Sequence, residues 1–579
     1  MNITIFSGGT GSIALQRGLN EIYPKCKITN IINLYDDGKS TRIARRVCDC
    51  LGPSDLRKNH LTQYLYNTDK NQINQNIVDF YEKRFDLSSN YDTALTEVLH
   101  QLEVWNFSEF NNYAIRFFEN AKRKNINNFK DFAITNIIYA EMFKEHGVNY
   151  TNEYFTKFLN LTLSEVLVNS EENLNLSALT NKNRILADEV EILDLKDPNE
   201  KIVKTLLNNL DYYNHLNPKI IDNLNNADII ILSAGTQWSS LIPSYMNKDI
   251  QNCLNKNSHK IIFVVNVKED VDMYGCSSID MINAVSNYIN LDNSKILYNS
   301  DATETLQEIH PKYKFYKASM KNNNGKHDPH LLAINIFKMH FNLENVNTKN
   351  IFLDFDDTLY ARNKTDIEMS IQNALLMNKL SDNYNFTILS GNSYKHIHER
   401  LSKIFSANLA NLSNNIKIWA DWCLVKYENG NVIKKIKNKN ITNYSSLVDY
   451  LKLLKLNNKE IIFRGPKDYL TSIAIKPLNN RERIFLSELL NIKFPEFDSV
   501  IAGTTTLEIV SKNTSKIDAL KEDIQALKDN SLIFIGDECA NGNDAEVYSF
   551  CKNNENYYPI NVKNIYETNV ILQILGENL

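Results

Sequence analysis

The chain has 579 residues, too many for one hydrophobic core, so at least two domains are expected. It is 43% hydrophobic and 23% charged with a formal net charge of −5, the balance of a soluble globular protein without the basic face that nucleic acid requires. The longest apolar runs, "ADIIIL" and "KIIFVVNV", fall short of the roughly 18 residues of a membrane helix, and the eight scattered cysteines match no zinc spacing. With an opening that goes straight into a strand, these features predict a cytoplasmic protein with free thiols.

The strand Ile3–Phe6 runs into "SGGTGSIALQRGL", Ser7–Leu19, three of whose residues 8–11 are glycine. A strand, a glycine turn and a helix bring main-chain N–H groups to a helix N-terminus, which suits a bound anion. Gly8, Gly9, Thr10, Gly11 and Ser12 are the candidate phosphate contacts. Gly9, Gly11 and Ala14 also fit a GxGxxA dinucleotide fingerprint. A second strand, Ile28–Leu34, ends in "NLYDDGKSTR", setting Asp36 and Asp37 where open α/β sheets bind ligands. The paired carboxylates could hold a ribose hydroxyl, a cation or an acceptor hydroxyl, or form a solvated turn.

From residue 61 to about 168 apolar and aromatic residues fall at helical spacing, as in "NYAIRFFENAKRK", which predicts a helical insertion with an aromatic core. The strands Ile229–Leu232 and Ile261–Val267 follow, continuous in Ile and Val as in a parallel sheet buried on both faces. The amphipathic "LLAINIFKMHF" and the polar "NLENVNTKN" divide the chain into domains 1–346 and 347–579. The second domain carries strands at Ile351–Phe355, Thr387–Leu389 and Leu532–Ile535, so both halves read as α/β.

The first half resembles the phospholactate transferase and gluconeogenesis-factor family. "SGGTGS", "DDGKSTR", "PSDLR", "ADIIILSAGTQWSSLIPSY" and "KHDPHLLA" are similar, in order, to the family's "GGTG", "DDGGSSGRLR", "PPGDIRN", "ADLIVLGPGSLYTSLIPNL" and "RHDPEKLA". The resemblance implies a nucleoside-diphosphate site of UDP, GDP or CDP type, a divalent metal, and a homodimer. It makes the domain either a transferase of a phosphohydroxyacid or phosphosugar group or a regulatory UDP-sugar binder. Gly8–Gly11 would face phosphates, Asn33, Asp36 and Asp37 would lie at the reacting end, and Asp55 and Arg57 come from the "GDIR" match. Gly235, Thr236, Ser239 and Ser240 would form a second phosphate loop. Lys39, Ser54, Lys58 and Ala234 depart from the family pattern.

The second half resembles the haloacid dehalogenase superfamily of phosphatases. "IFLDFDDTLY" is similar to its DxDxT motif, "FTILSGN" to its hydroxyl loop, "TSKIDAL" to its lysine motif and "GDECANGND" to its acidic motif. Here the chemistry assigns Asp354 as nucleophile and Asp356 as acid and base, with Thr358 orienting Asp356. Ser390, Gly391 and Asn392 would bind the phosphoryl group, and Lys516, or alternatively Lys512, would neutralise it. Asp354, Asp356, Asp537 and Asp544 are the candidate Mg2+ ligands. With 31 residues between Thr358 and Ser390 and 125 between Ser390 and Lys516, a cap is expected at about 400–500, where Arg464 and Lys467 would meet a substrate's polar end. That placement is similar to sugar-phosphate phosphatases and phosphomannomutase. The two halves together imply a bifunctional enzyme whose substrate is a phosphorylated sugar or hydroxyacid, with a sensor–phosphatase fusion or a phosphosugar mutase as the alternatives.

Overall fold

In a computed structural model the chain divides into two compact units, Met1–Glu344 and Asn345–Leu579. The described residues are all those of 1–577 except 9–10, 69, 209–214, 302–312, 405–415, 429, 437–440, 442–443, 455, 457, 467, 503–504, 528–529 and 541.

The first unit is built on seven strands: β1 (Asn2–Phe6), β2 (Lys27–Ile32), β3 (Ser164–Val168), β4 (Ile229–Leu232), β5 (Ile261–Val264), β6 (Lys295–Asn299) and β7 (Lys314–Ala318). They form one sheet in the order β7-β6-β5-β4-β1-β2-β3, with every pairing parallel. Ile229, Ile230 and Ile231 are fully buried, as a strand covered on both faces requires. Register decides where the loops go. Phe6 lies beside Ile31 on one side and Leu232 on the other, so the segments that follow all three strands leave the sheet at the same level.

The helical insertion ends earlier than its periodicity suggests. Helices occupy Ser54–Asn67, Gln75–Glu82, Tyr91–Val104, Asn111–Arg123, Ile134–His146 and Val148–Phe158, but Ser164–Val168 is the edge strand β3. "SEVLV" has too few residues to distinguish a buried strand from a helix turn by spacing alone. The aromatic residues of the insertion do form a core: Phe80, Phe110, Phe117, Tyr139 and Phe155 are all fully buried, and the Tyr139 and Phe155 rings stack at 4.1 Å. A small antiparallel sheet of Leu176–Thr180, Ile185–Leu186 and Ile202–Leu207 lies on the same unit. The short helix that begins at Glu189 leaves it, capped by the Asp188 side chain.

The second unit has a core sheet of β8 (Asn350–Asp354), β9 (Asn385–Leu389), β10 (Ile416–Ala420), β11 (Val425–Glu428), β12 (Asn431–Lys435), β17 (Leu532–Gly536) and β18 (Tyr557–Asn561), in the order β12-β11-β10-β9-β8-β17-β18. Between β12 and β17 the chain forms a separate antiparallel sheet of β13 (Glu460–Arg464), β14 (Ser472–Lys476), β15 (Phe497–Ala502) and β16 (Thr506–Ser511), ordered β13-β14-β16-β15, with helices Ser445–Leu453 and Asn480–Lys493. The cap therefore starts later than residue 400. Strands β10 to β12 extend the core sheet, β10 pairing in parallel with β9. Both units are α/β, one a Rossmann-like sheet with a helical insertion and the other a similar core carrying an α/β cap. In the whole chain, no described helix is long and apolar enough to cross a membrane.

Candidate functional sites

At the carboxyl ends of β1, β2 and β4 two loops meet. A Cβ on Gly8 would lie 3.2 Å from Ser240 Cβ, so the absence of a side chain lets the loops touch. Ser233 Oγ donates to the Phe6 carbonyl at 2.6 Å and ties the loop after β4 to β1. Asn33, predicted at the reacting end, is buried instead. Its amide donates to the Ser240 carbonyl and to Ser244 Oγ, which joins the end of β2 to the second loop. Ser12 is buried, and its hydroxyl pairs with the Ser7 hydroxyl. Gly11 opens the helix Gly11–Ile22; Gly9 and Thr10 lie outside the described residues. In the second loop Gly235 N–H donates to Asn266 Oδ1, and Thr236 Oγ1 donates to Ser240 Oγ at 2.7 Å. Ser239 spends both its amide and its hydroxyl on Asp272 Oδ2, at 2.9 and 3.2 Å. Burial, with Asp270 nearby, pushes the Asp272 carboxyl up to about 7.

The Asp36–Asp37 turn gains a third carboxylate from far along the chain. Glu189 Oε2 accepts the Asp37 N–H at 2.7 Å and shares a proton with Asp36. Burial and Asp36 push the Glu189 carboxyl up to about 10. Asp36 stays below the usual carboxylate range: burial opposes its charge, but Glu189, the Gly38 N–H and Thr41 Oγ1 outweigh it. Asp55 is buried beside this group, its carboxyl raised by burial and by Asp36, with Lys58 Nζ at 3.3 Å. Arg57, a candidate substrate or nucleotide contact from the "GDIR" match, turns towards the helical insertion. It is buried, and its guanidinium donates to Asn136 Oδ1 and the Tyr81 carbonyl. An arginine three positions into a helix follows the buried face of that helix, here the one packed on the insertion. Asn59 connects the two regions, accepting from Ser7 Oγ and donating to the Asp55 carbonyl. No local sequence signal pointed to Glu189, which opens the short helix after the small sheet and meets Asp37 across 152 residues of chain.

In the second unit parallel register does the same work. Leu353 pairs with Ile535, and Asp354 with Leu389. Asp354, Ser390 and Asp537 therefore leave adjacent strands at one level. Carboxylate oxygens of Asp354, Asp537 and Asp544 lie within 4.8 Å of one another. Lys516 Nζ, 5% exposed, bonds Asp354 Oδ1 at 2.6 Å, Asp544 Oδ1 at 2.7 Å and Asn543 Oδ1 at 3.1 Å. Lys512 donates to the Pro495 carbonyl instead. Burial pushes Asp354 up to about 7 against the pull of Lys516. Burial would lower Lys516, but the two carboxylates outweigh it and hold its pKa above the ordinary lysine value. A Cβ on Gly536 would sit 2.5 Å from Asp544 Oδ2, so only glycine admits this carboxylate.

Two assignments change here. Asp356 is outside the carboxylate cluster. Arg400 bonds its Oδ1, and Asn392 Nδ2 its Oδ2 at 2.5 Å. Thr358 orients Asp537, donating to Oδ1 at 3.1 Å, rather than Asp356. The side chain two residues beyond Asp354 projects away from the strand end, where the helix Tyr394–Ile404 supplies Arg400, itself laid over the Tyr360 ring at 5.1 Å. Sequence reading missed Arg400 and also Trp422. Asp421, Trp422 and Cys423 take φ values of 52°, 64° and 58°, three left-handed residues in succession. Their N–H groups bond the carbonyls of Asn392, Gly391 and Ser390 in turn, which fixes the hydroxyl loop. Such a strained run persists only where the surroundings over-determine it. The Ser390 hydroxyl accepts the Asn392 N–H at 3.1 Å. Lys467 is outside the described residues.

The family to which the first unit points can be named. Residues 3–337 match the family described as 2-phospho-L-lactate transferase CofD, and the chain belongs to that family. It is 22% identical over 272 residues to a Streptococcus pyogenes protein provisionally named a gluconeogenesis factor, spanning 46% of this chain and 67% of that one. It is similar to the crystal structure of a UPF0052 family member from Bacillus halodurans, at 16% identity and TM-score 0.45, over 58% of this chain and 99% of that one. It is also similar to a haloacid dehalogenase-like hydrolase from Bacteroides thetaiotaomicron, at 13% identity and TM-score 0.30, over 40% of this chain and 100% of that one.

Proposed function

We propose that the chain is bifunctional. Its first unit is a nucleoside-diphosphate-dependent transferase of a phosphohydroxyacid or phosphosugar group, and its second is a Mg2+-dependent phosphomonoesterase for a phosphorylated sugar or hydroxyacid. The observation that carries the second activity is the buried Lys516 ammonium held between Asp354 and Asp544. An Asp354 oxygen attacks phosphorus, the P–O bond to the alcohol breaks, and Asp356 gives the leaving oxygen a proton. Asp356 then takes a proton from water, whose oxygen attacks the aspartyl phosphate, releasing inorganic phosphate and restoring Asp354. Ser390 and Lys516 orient the phosphoryl oxygens and counter their charge. The oxygen donors of Asp354, Asp537 and Asp544 suit Mg2+, which would neutralise further phosphoryl charge when bound.

In the first unit, the contact of the Gly8 and Ser240 loops supports a shared diphosphate cradle. The carboxylates of Asp36, Asp37 and Glu189 stand beside it for a cation or an acceptor hydroxyl.

Phosphate release from a sugar-phosphate panel with Mg2+ tests the esterase. It is expected to disappear in Asp354→Asn, and activity that survives this change rejects the nucleophile. Thermal stabilisation by UDP-, GDP- or CDP-linked ligands tests the first unit, and a response to none of them rejects the nucleotide site.

A further inference from the structure

We propose that the cavity between the cap and the core of the second unit is a second anion subsite, so that the esterase takes phosphomonoesters bearing a carboxylate or a second phosphate. This rests on the phosphomonoesterase reading. The cavity measures about 780 Å³ and is lined by Asn392, His396 and Asp421 from the core and by Arg464 and Lys476 from the cap. It begins at Asn392, the residue that holds Asp356, so the cavity adjoins the proposed general acid.

The charges lining the cavity are arranged to receive an anion. One terminal nitrogen of Arg464 pairs with Glu508 at 2.9 Å. Glu508 is 2% exposed and is itself held by Ser472 Oγ at 2.7 Å and Trp422 Nε1 at 3.4 Å. The guanidinium is thus braced from behind while its other donors stay unspent among the described residues, which is the preorganisation that favours bidentate anion binding. Lys476 has no carboxylate within ion-pair distance among the described residues, and the His396 ring no hydrogen-bond partner. Asp421 is the one lining carboxylate among those residues, and it is occupied by Tyr427 Oη at 2.7 Å. Burial, Arg400 and Arg464 together keep His396 below its ordinary pKa, as a site awaiting negative charge would. Trp422 links both ends: its backbone holds Gly391 of the hydroxyl loop and its indole braces the Glu508–Arg464 pair.

The test compares matched esters on the full chain with Mg2+: 3-phosphoglycerate against glycerol 3-phosphate, and fructose 1,6-bisphosphate against fructose 6-phosphate. The doubly anionic member of at least one pair should have a kcat/KM higher by about tenfold or more, the scale of one charge-assisted bond. Arg464→Gln and Lys476→Gln should bring that ratio towards one. Preference in the first pair only assigns a carboxylate, and in the second only a phosphate. No preference in either pair, or a ratio that both substitutions leave unchanged, overturns the subsite. If no ester turns over, the phosphomonoesterase reading fails, and calorimetry on Asp354→Asn still decides the subsite. Equal affinity for both members of both pairs overturns it, and tighter binding of a doubly anionic member upholds it.

Discussion

Asp354→Asn should make the protein more stable while silencing it. The folded carboxyl lies at about 7 against an ordinary value of 3.8, about 3 pK units, and that shift already contains the attraction of Lys516. At about 1.4 kcal/mol per unit, ionising Asp354 in the folded chain costs about 4 kcal/mol. The sign follows from proton counts. Between pH about 4 and about 7 the folded state holds a proton that the unfolded chain has lost, so stability falls as pH rises through that window and the full penalty applies above it. Asparagine cannot ionise. In metal-free buffer the variant should exceed the parent by up to about 4 kcal/mol at pH 8 but by only about 1–2 kcal/mol at pH 5. Urea unfolding followed by the fluorescence of Trp419 and Trp422 measures this, and added Mg2+ should narrow the gap by favouring the parent. A variant no more stable at pH 8, with the same difference at pH 5, would refute the claim that burial dominates this carboxylate. A gain of this kind is the usual mark of a site strained for function.

Gly536→Ala places a Cβ 2.5 Å from Asp544 Oδ2; it should cost about 1–3 kcal/mol and lower phosphate release about a hundredfold or more, and near-parental activity would show that Asp544 need not sit there. Glu189→Gln should flatten the pH dependence of the first unit's stability. With its carboxyl at about 10, Glu189 makes the folded state less stable as pH rises from about 4.5 to about 10, so denaturation curves at pH 6 and 9 that differ as much in the variant as in the parent would contradict the shared proton. Gly8→Val would force the Gly8 loop away from Ser240 and should remove stabilisation by nucleoside diphosphates, which a thermal-shift series reads directly.

The strands that define both sheets were readable from composition because each is a short run of Ile, Val, Leu or Phe covered on both faces. Ile229–Leu232 and Leu532–Ile535 show this in a few letters. The residues that follow those strands were readable too, since parallel register carries Ser7, Ser233 and Asn33 to one level, and Asp354, Ser390 and Asp537 to another. Short segments with weak periodicity were not: Ser164–Val168 looked like part of the helical insertion, and residues 416–435 like part of the cap, until hydrogen bonding to a neighbouring strand assigned them. Side-chain direction lay further out of reach. Arg57 turns into the insertion, and Thr358 reaches Asp537. Glu189 and Arg400 come to their carboxylate partners from elements whose local patterns carry no trace of the encounter. Local letters encode burial and turn chemistry, which depend on near neighbours. Which charges meet depends on how distant elements pack, and a one-dimensional pattern holds no distance between them.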